Sequence, residues 1–410
     1  MNICATDTLP QTSLRWLVLD LNSFFASCEQ QEDPRLRGQP LAVVPMLADT
    51  TCAIAASYEA KAFGIKTGTG VGEAKRLCPA LRLVVARPKL YVEYHHRILE
   101  AIETCVPVED VMSVDEVACR LDPLQQQPET ARALAQSIKN AVRAQVGPCL
   151  TSSVGIAANR LLAKLASDMQ KPDGLTILHP EAMPAAILHL KIEDICGIGR
   201  NMAERLRQAG IADMPALWAA DAQSLRRVWG GVVGLRFHAL LHGADLPSIT
   251  HPRRSIGHQH VLPPEDRRMD RAAPVIRQLL ARAAERLRRE GFYCRRLMLD
   301  IKWTQHLGHH VAERRFHETQ DTGELLKILM PLWNAAPSLR PLRVGVVLAD
   351  LTPQAAHQPD LFDRPKPVAL VSAVDKLNNK FGRGTIAYGV GQRSITSKIA
   401  FSRVPEMEEF

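Results

Sequence analysis

Trp16-Leu17-Val18-Leu19-Asp20-Leu21 is the stretch on which the fold turns. A short, almost wholly apolar run of this length reads as a strand buried on both faces. The acid near its end is costly to bury unless a partner or a cation answers it. Outward from this strand the chain alternates. Phe24 to Gln31 reads as a helix, and Leu41-Ala42-Val43-Val44 as a second strand. The Ala-, Lys- and Gly-rich segment 53–78 predicts short helices broken at Gly64, Gly68, Gly70 and Gly72. Tyr91 to Cys105 reads as a helix, and Val111 to Leu121 (VMSVDEVACRL) as a strand or hairpin arm. Leu134, Ile138, Val142 and Val146, four apart, predict an amphipathic helix over 131–146. Ser153-Val154-Gly155-Ile156-Ala157 is a short strand that leads into a helix over Arg160 to Gln170. Such alternation is that of an α/β or α+β domain.

From about 184 to 250 the pattern is all-helical, and His251-Pro252-Arg253-Arg254 reads as a linker. Beyond it, 271–290 is a helix with Ile276, Leu279, Leu280, Ala283 and Leu287 on its apolar face, flanked by Arg271, Arg282, Arg286 and Arg289. Leu297, Leu299, Ile301 and Trp303 then alternate with Met298, Asp300 and Lys302, a half-buried strand, so this domain is also α+β. After Asp350 the chain turns richer in Pro and Gln and reads as a tail.

The 410 residues are 46% hydrophobic and 23% charged, which excludes a predominantly disordered chain and leaves room for two to four domains. No apolar run approaches the roughly 18 residues of a membrane span, and Met1 to Thr12 lacks a signal-peptide pattern, so a cytoplasmic protein is expected. The nine cysteines are scattered without a CxxC pair, the pattern of reduced structural thiols rather than disulfides or zinc ligands. His306, His309 and His310 lack a Cys or acidic partner at ligand spacing and read as a polar loop. Net charge is +8, and its distribution is uneven. Residues 1–183 sum to −2, whereas 253–302 hold 13 basic against 6 acidic residues. A basic module beside a slightly acidic one fits polyanion binding, with a solvated arginine-rich helix face as the alternative.

Two motifs carry chemistry. Asp20 closes one apolar strand and Asp115-Glu116 lies in another; three acids from neighbouring strands could hold two Mg²⁺, as nucleotidyl transfer requires. Adjacent residues on a regular strand face opposite ways, so Asp115 and Glu116 reach one site only near a turn or bulge. Asp194-Ile195-Cys196-Gly197-Ile198-Gly199-Arg200, continuing through Ala203 and Leu206, is a helix–hairpin–helix pattern. Gly197 and Gly199 permit a tight turn whose N–H groups can grip a DNA phosphate, with Arg200 beside them.

Taken together, the chain resembles the Y-family translesion DNA polymerases over nearly its whole length. Val18 to Glu29 (VLDLNSFFASCE) looks like their opening motif, Ser57 to Lys66 (SYEAKAFGIK) their fingers motif, and Ser113-Val114-Asp115-Glu116 their second acidic motif. Val154-Gly155-Ile156 through Ala163 to Asp168 and Lys171-Pro172-Asp173-Gly174 is similar to their third, and Arg253-Arg254-Ser255-Ile256-Gly257 to the start of the little finger. Tyr293-Cys294-Arg295, Gly345 to Asp350 and Lys376 to Thr385 look most like the UmuC branch, whereas Lys171-Pro172-Asp173-Gly174 is closer to DinB. Gln358-Pro359-Asp360-Leu361-Phe362 resembles a peptide that docks on the sliding clamp.

The resemblance implies an α+β multidomain, right-hand polymerase. Its palm would be 13–31 and 91–183, small fingers 32–90, a helical thumb with the helix–hairpin–helix 184–250, an α+β little finger 251–352 and a clamp-binding tail 353–410. Asp20, Asp115 and Glu116 would be catalytic and ligate two Mg²⁺, with the Leu21 carbonyl as a further ligand. Phe25 would be the steric gate against a 2′-OH; Tyr58, Lys61 and Lys164 would bind the triphosphate. Gly197, Gly199, Arg200, Arg253, Arg254, Arg282, Arg286 and Arg289 would contact DNA, and Gln358, Leu361 and Phe362 the clamp. Implied partners are primer-template DNA, dNTP, the clamp, a UmuD-like subunit and RecA. Asn22, Ala55 and Lys61 depart from residues common in the family (Asp, Thr and Arg). The alternative is a non-catalytic relative that acts as a DNA- and clamp-binding scaffold.

Overall fold

The computed structural model describes residues 13–249, 253–304, 307–358, 368–382, 385–386 and 404. The chain divides into two compact units, with the change between Ser248 and Ile249. In order, the first runs β1 (Trp16–Leu21), α1 (Phe24–Glu32), β2 (Leu41–Val44), β3 (Ala55–Ala56), α2 (Tyr58–Lys61), α3 (Val71–Leu77), β4 (Arg82–Val85), α4 (Pro88–Glu103), β5 (Asp110–Val111), β6 (Glu116–Arg120), α5 (Pro128–Gln145), β7 (Ser152–Ala157), α6 (Arg160–Met169) and β8 (Leu175–Ile177). Four helices follow: α7 (Arg200–Gln208), α8 (Met214–Ala219), α9 (Ala222–Trp229) and α10 (Val232–Leu241).

β1 is the middle strand of a five-stranded sheet ordered β5-β6-β1-β7-β8, and all its residues are buried. Its two faces serve different cores. Leu17, Leu19 and Leu21 pack with residues of α4 and α5, including Tyr91, Ile98, Ile138 and Val142. Trp16 and Val18 face Leu162, Leu165 and Ala166 of α6 and a cluster that continues into α7–α10. By strand alternation Asp20 shares the face of Trp16 and Val18, towards α6. α6 can lie that close because Gly155 of β7 has no side chain: a Cβ there would stand 2.0 Å from the Ala163 carbonyl oxygen. A second, small sheet, β3-β2-β4, spans part of 41–85, with Ala56, Ala60, Ile65, Ala74 and Cys78 in a core of its own. Gly72, expected as a break, lies inside α3, while Gly64 and Gly68 adopt positive φ at turns.

The expected helix–hairpin–helix is only half α-helical. The turn residues Cys196 to Gly199 lead into α7, whose Ala203 and Leu206 are buried against Ile192, Ile195 and Ile198. Ahead of them stands a single 3₁₀ turn, Ile192–Asp194, closed when Lys191 N–H donates to the Asp194 carboxylate at 2.9 Å. Gly197 has φ +95°, a conformation glycine adopts without a Cβ clash.

The second unit contains β9 (Ser255–Val261), α11 (Met269–Arg289), β10 (Phe292–Trp303), β11 (His309–Thr319), α12 (Thr322–Asn334), β12 (Pro341–Pro353) and α13 (Val368–Phe381). Its antiparallel sheet is ordered β11-β10-β12-β9. Leu297, Leu299 and Ile301 form its core with Val344, Val346 and Leu348 and with Ile276, Leu279, Leu280 and Leu287 of α11. Helix α13 falls in the span expected as a tail, and its Asp375 pairs with Arg288 of α11 at 2.7 Å. Leu361 and Phe362 of the expected clamp peptide lie outside the described residues, as does His306.

Candidate active site

The site is built where β1 and β6 run antiparallel, with Asp20 directly opposite Glu116 in register. The hairpin between β5 and β6 resolves the difficulty of two adjacent acids. Met112 and Ser113 both donate their N–H groups to the Glu116 carbonyl, at 3.0 and 3.1 Å, so Asp115 sits in the turn and not within the strand. Its carbonyl accepts from Leu21 N–H at 2.8 Å, and its Oδ1 accepts from Ser113 Oγ at 2.6 Å. Burial pushes the carboxyls of Asp115 and Glu116 above their ordinary values, a tendency that Ser113 opposes at Asp115 and Lys164 opposes at both. Charge crowding adds to it, since Asp20 raises both.

Helix α6 supplies the counter-charge. Asn159 caps it by accepting from Leu162 N–H at 3.0 Å, and Lys164 and Asp168 then share one face. The buried Lys164 Nζ contacts Asp20 Oδ2, stands 3.0 Å from Glu116 Oε1 and 3.0 Å from Asp168 Oδ1. Burial alone would lower its pKa, but Asp20, Glu116 and Asp168 together hold it above the ordinary lysine value.

A second ammonium that the sequence reading passed over joins it. Lys171 Nζ is 2.7 Å from Asp20 Oδ1 and 2.8 Å from Asp168 Oδ1. The signal was present: Lys171 follows Asp168 by three residues at the end of α6 and opens the quoted Lys171-Pro172-Asp173-Gly174 stretch.

Tyr58 and Lys61 lie on the one-turn helix α2, whose cap Ser57 accepts from Ala60 N–H at 3.3 Å. Lys61 Nζ stands 4.1 Å from the centre of the Tyr58 ring. Desolvation lowers the Lys61 pKa, as does the Lys171 charge; desolvation raises that of Tyr58. Half-buried Phe25 lies in the first turn of α1 with its ring stacked on Tyr91, centroids 4.3 Å apart, and the Tyr91 hydroxyl donates to the buried Glu29 at 2.7 Å. Asn22 is a structural member: its side chain donates to Ser153 Oγ at 3.0 Å and accepts from Asp173 N–H at 2.8 Å. Ala55, by contrast, is buried against the core.

The expected DNA contacts separate into two classes. Gly199, Arg200, Asn201, Met202 and Arg205 line a concavity at the start of α7. In the second unit Arg253 and Arg286 both engage Glu290, the latter at 2.8 Å, and Arg282 is half-buried, whereas Arg254 and Arg289 are exposed.

Comparison with known proteins decides the family. Residues 19–168 match the impB/mucB/samB family, and residues 253–361 its C-terminal domain. DNA polymerase IV of Moorella thermoacetica is 35% identical over 90% of this chain and 94% of its own length. The chain belongs to this family, the Y-family DNA polymerases. DNA polymerase IV of Pelotomaculum thermopropionicum is 33% identical over 91% of the polymerase and 94% of its own length. A solved Y-family DNA polymerase chimera of Dbh and Dpo4 superposes with a TM-score of 0.69 at 23% identity, over 82% of this polymerase and 99% of that chain. The polymerase is thus a DNA-directed DNA polymerase of mixed α/β, right-hand architecture. These relatives carry the DNA polymerase IV name, which leans to the DinB side shared by Lys171-Pro172-Asp173-Gly174 and leaves the expected UmuC-like branch unsupported. Among the described residues no helix is long and apolar enough to cross a membrane.

Among the described residues, no three His, Cys, Asp or Glu side chains are gathered as a ready metal cluster, because the carboxylates of Asp20 and Glu116 are turned to Lys164 and that of Asp115 to Ser113. The donor set still fits Mg²⁺ in kind: it is oxygen-only, acidic and crowded enough to need cationic charge.

Proposed function

We propose that this polymerase carries out error-prone translesion synthesis by two-metal nucleotidyl transfer, adding dNTPs to a primer 3′-OH opposite damaged template. The observation that carries the reading is the register of Asp20 against Glu116 with Asp115 at the adjoining turn, ringed by Lys164 and Lys171. Asp20, Asp115, Glu116 and the Leu21 carbonyl would hold two Mg²⁺, which lower the pKa of the attacking hydroxyl and offset charge on the leaving pyrophosphate. Lys61, Lys164, Lys171 and Tyr58 bind the triphosphate and stabilise the charge that develops on it. Once a triphosphate is bound, Lys164 and Lys171 exchange carboxylate for phosphate partners, so the same ammoniums serve both states. Phe25, backed by Tyr91, presents a flat ring that a 2′-OH would strike, and so selects deoxynucleotides.

On this reading the palm is 13–31 and 91–183, the fingers 32–90, the thumb 184–250 and the little finger 251–352. Gly197, Gly199 and Arg200 meet backbone phosphates, as do Arg254 and Arg289. Gln358, Leu361 and Phe362 dock on the sliding clamp. A UmuD-like subunit, RecA and an SOS setting complete the proposal, with the cytoplasm as its location.

Primer extension across a template abasic site tests it. Addition of dNTPs past the lesion, dependent on Mg²⁺ and abolished by EDTA, is expected. A primer that extends to the lesion and never beyond it would leave a polymerase without the bypass activity.

A further inference from the structure

Behind the acids, α5 carries two cations with no part in the chemistry above. Lys139 is only 5% exposed. Its Nζ donates to the Asp173 carbonyl at 2.5 Å and the Gly174 carbonyl at 3.3 Å, and lies 3.1 Å from Asp173 Oδ1. Arg143 pairs with Asp173 Oδ2. A buried ammonium is expensive unless oxygens satisfy it, and here the oxygens come from one short loop. The same loop is held from its other side. Asp173 N–H donates to Asn22 Oδ1 at 2.8 Å, and Gly174 N–H to Ser153 Oγ at 3.3 Å. Asp173 takes up a left-handed φ of 58°, a conformation that short polar side chains tolerate when locally bonded. Lys171 enters this grip with its Nζ on Asp20 and Asp168.

We propose that Lys139 and Arg143 are positioning residues for nucleotide capture: by fixing Asp173 they set Lys171 against the acids, where it meets the triphosphate. This rests on the reading of Lys171 as a triphosphate ligand. The test compares Lys139→Met, Lys139→Arg, Lys171→Ala and the Lys139→Met/Lys171→Ala double variant. Readouts are single-nucleotide insertion kinetics, equilibrium binding of a non-hydrolysable dNTP analogue to the enzyme on primer-template, and the melting temperature. Lys171→Ala should raise the dNTP KM and the analogue Kd about five- to tenfold and lower kcat as well, and Lys139→Met should move each of them in the same direction by no more than that. Lys139→Arg should restore most of the affinity, and the double variant should be no worse than Lys171→Ala alone.

A Lys139→Met enzyme that melts lower while its KM stays at the wild-type value would overturn the proposal. So would effects of the two substitutions that multiply. If Lys171→Ala leaves KM unchanged, the reading of Lys171 fails and the positioning role falls with it. Should Lys139→Met not fold, Arg143→Gln, at a partly exposed guanidinium, carries the same expectation at about two- to threefold, and an unchanged KM there counts against the proposal.

Discussion

The acid site of the first unit and the arginine helix of the second handle charge in opposite ways. Around Asp20, charges are buried and interlocked: Lys164 alone meets Asp20, Glu116 and Asp168. Along α11 the pairs are partly buried and one to one, Arg286 with Glu290 and Arg288 with Asp375, while Arg271 and Arg289 are exposed. A shared network like that around Asp20 is costly to leave short of a charge, whereas an exposed charge such as that of Arg254 or Arg289 contributes little to stability. A substitution in the first region should therefore change chemistry by orders of magnitude, and one in the second should change binding by a small factor.

Ordered by expected effect, the sharpest break is Asp20→Asn. It removes one charge shared by two lysines and should cut the rate of extension by at least about 10³-fold in single-turnover assays, as the loss of a metal ligand would. Next is Phe25→Val. Without the ring stacked on Tyr91, ribonucleotide insertion relative to dNTP should rise by about 10- to 100-fold, a ratio that steady-state kinetics with paired rNTP and dNTP reads directly. In the second unit, Arg254→Ala/Arg289→Ala should weaken primer-template binding only about three- to tenfold and flatten its salt dependence. Dissociation constants at several salt concentrations measure this, and a loss as large as that at Asp20 would erase the contrast.

The smallest effect concerns stability. Burial raises the Asp115 carboxyl above its ordinary value of 3.8, so the folded chain holds that proton more tightly than the unfolded one. Its favourable contribution is present at low pH and is lost as the pH rises from the ordinary carboxylate range through the raised value. Asp115→Asn, which cannot ionise, should then raise the melting temperature at neutral pH in EDTA by about 1–3 °C, with the gain shrinking below pH 4. A fall in melting temperature at neutral pH would show that Ser113 and Lys164 outweigh burial there.

The same contrast explains what could be read from the sequence. Asp20 and the Asp115-Glu116 pair stood out because an acid in an apolar strand contradicts its surroundings, and that contradiction is local. The hairpin that puts Asp115 in a turn is local too, Asp110 and Val111 pairing with Ala118 and Val117, but the pattern of 111–121 alone left a strand and a hairpin arm both open. Lys171 was passed over because one lysine among 51 basic residues carries no signal until α6 packs on β1 and brings it to Asp20. Lys139 and Asp173 are 34 positions apart, and only folding joins them. Along α11 the apolar face was legible from its spacing, and Glu290 stands at the i+4 position from Arg286, but the partner of Arg288 was not legible, since Asp375 lies 87 positions further on.

Primer extension on undamaged template with Mg²⁺, comparing the wild-type chain with Asp115→Ala/Glu116→Ala, tests the central claim most directly. The wild-type chain and the double variant should bind primer-template alike, and only the wild-type chain should extend it. Extension that survives the double substitution would contradict the assignment of the acids as the metal-binding centre.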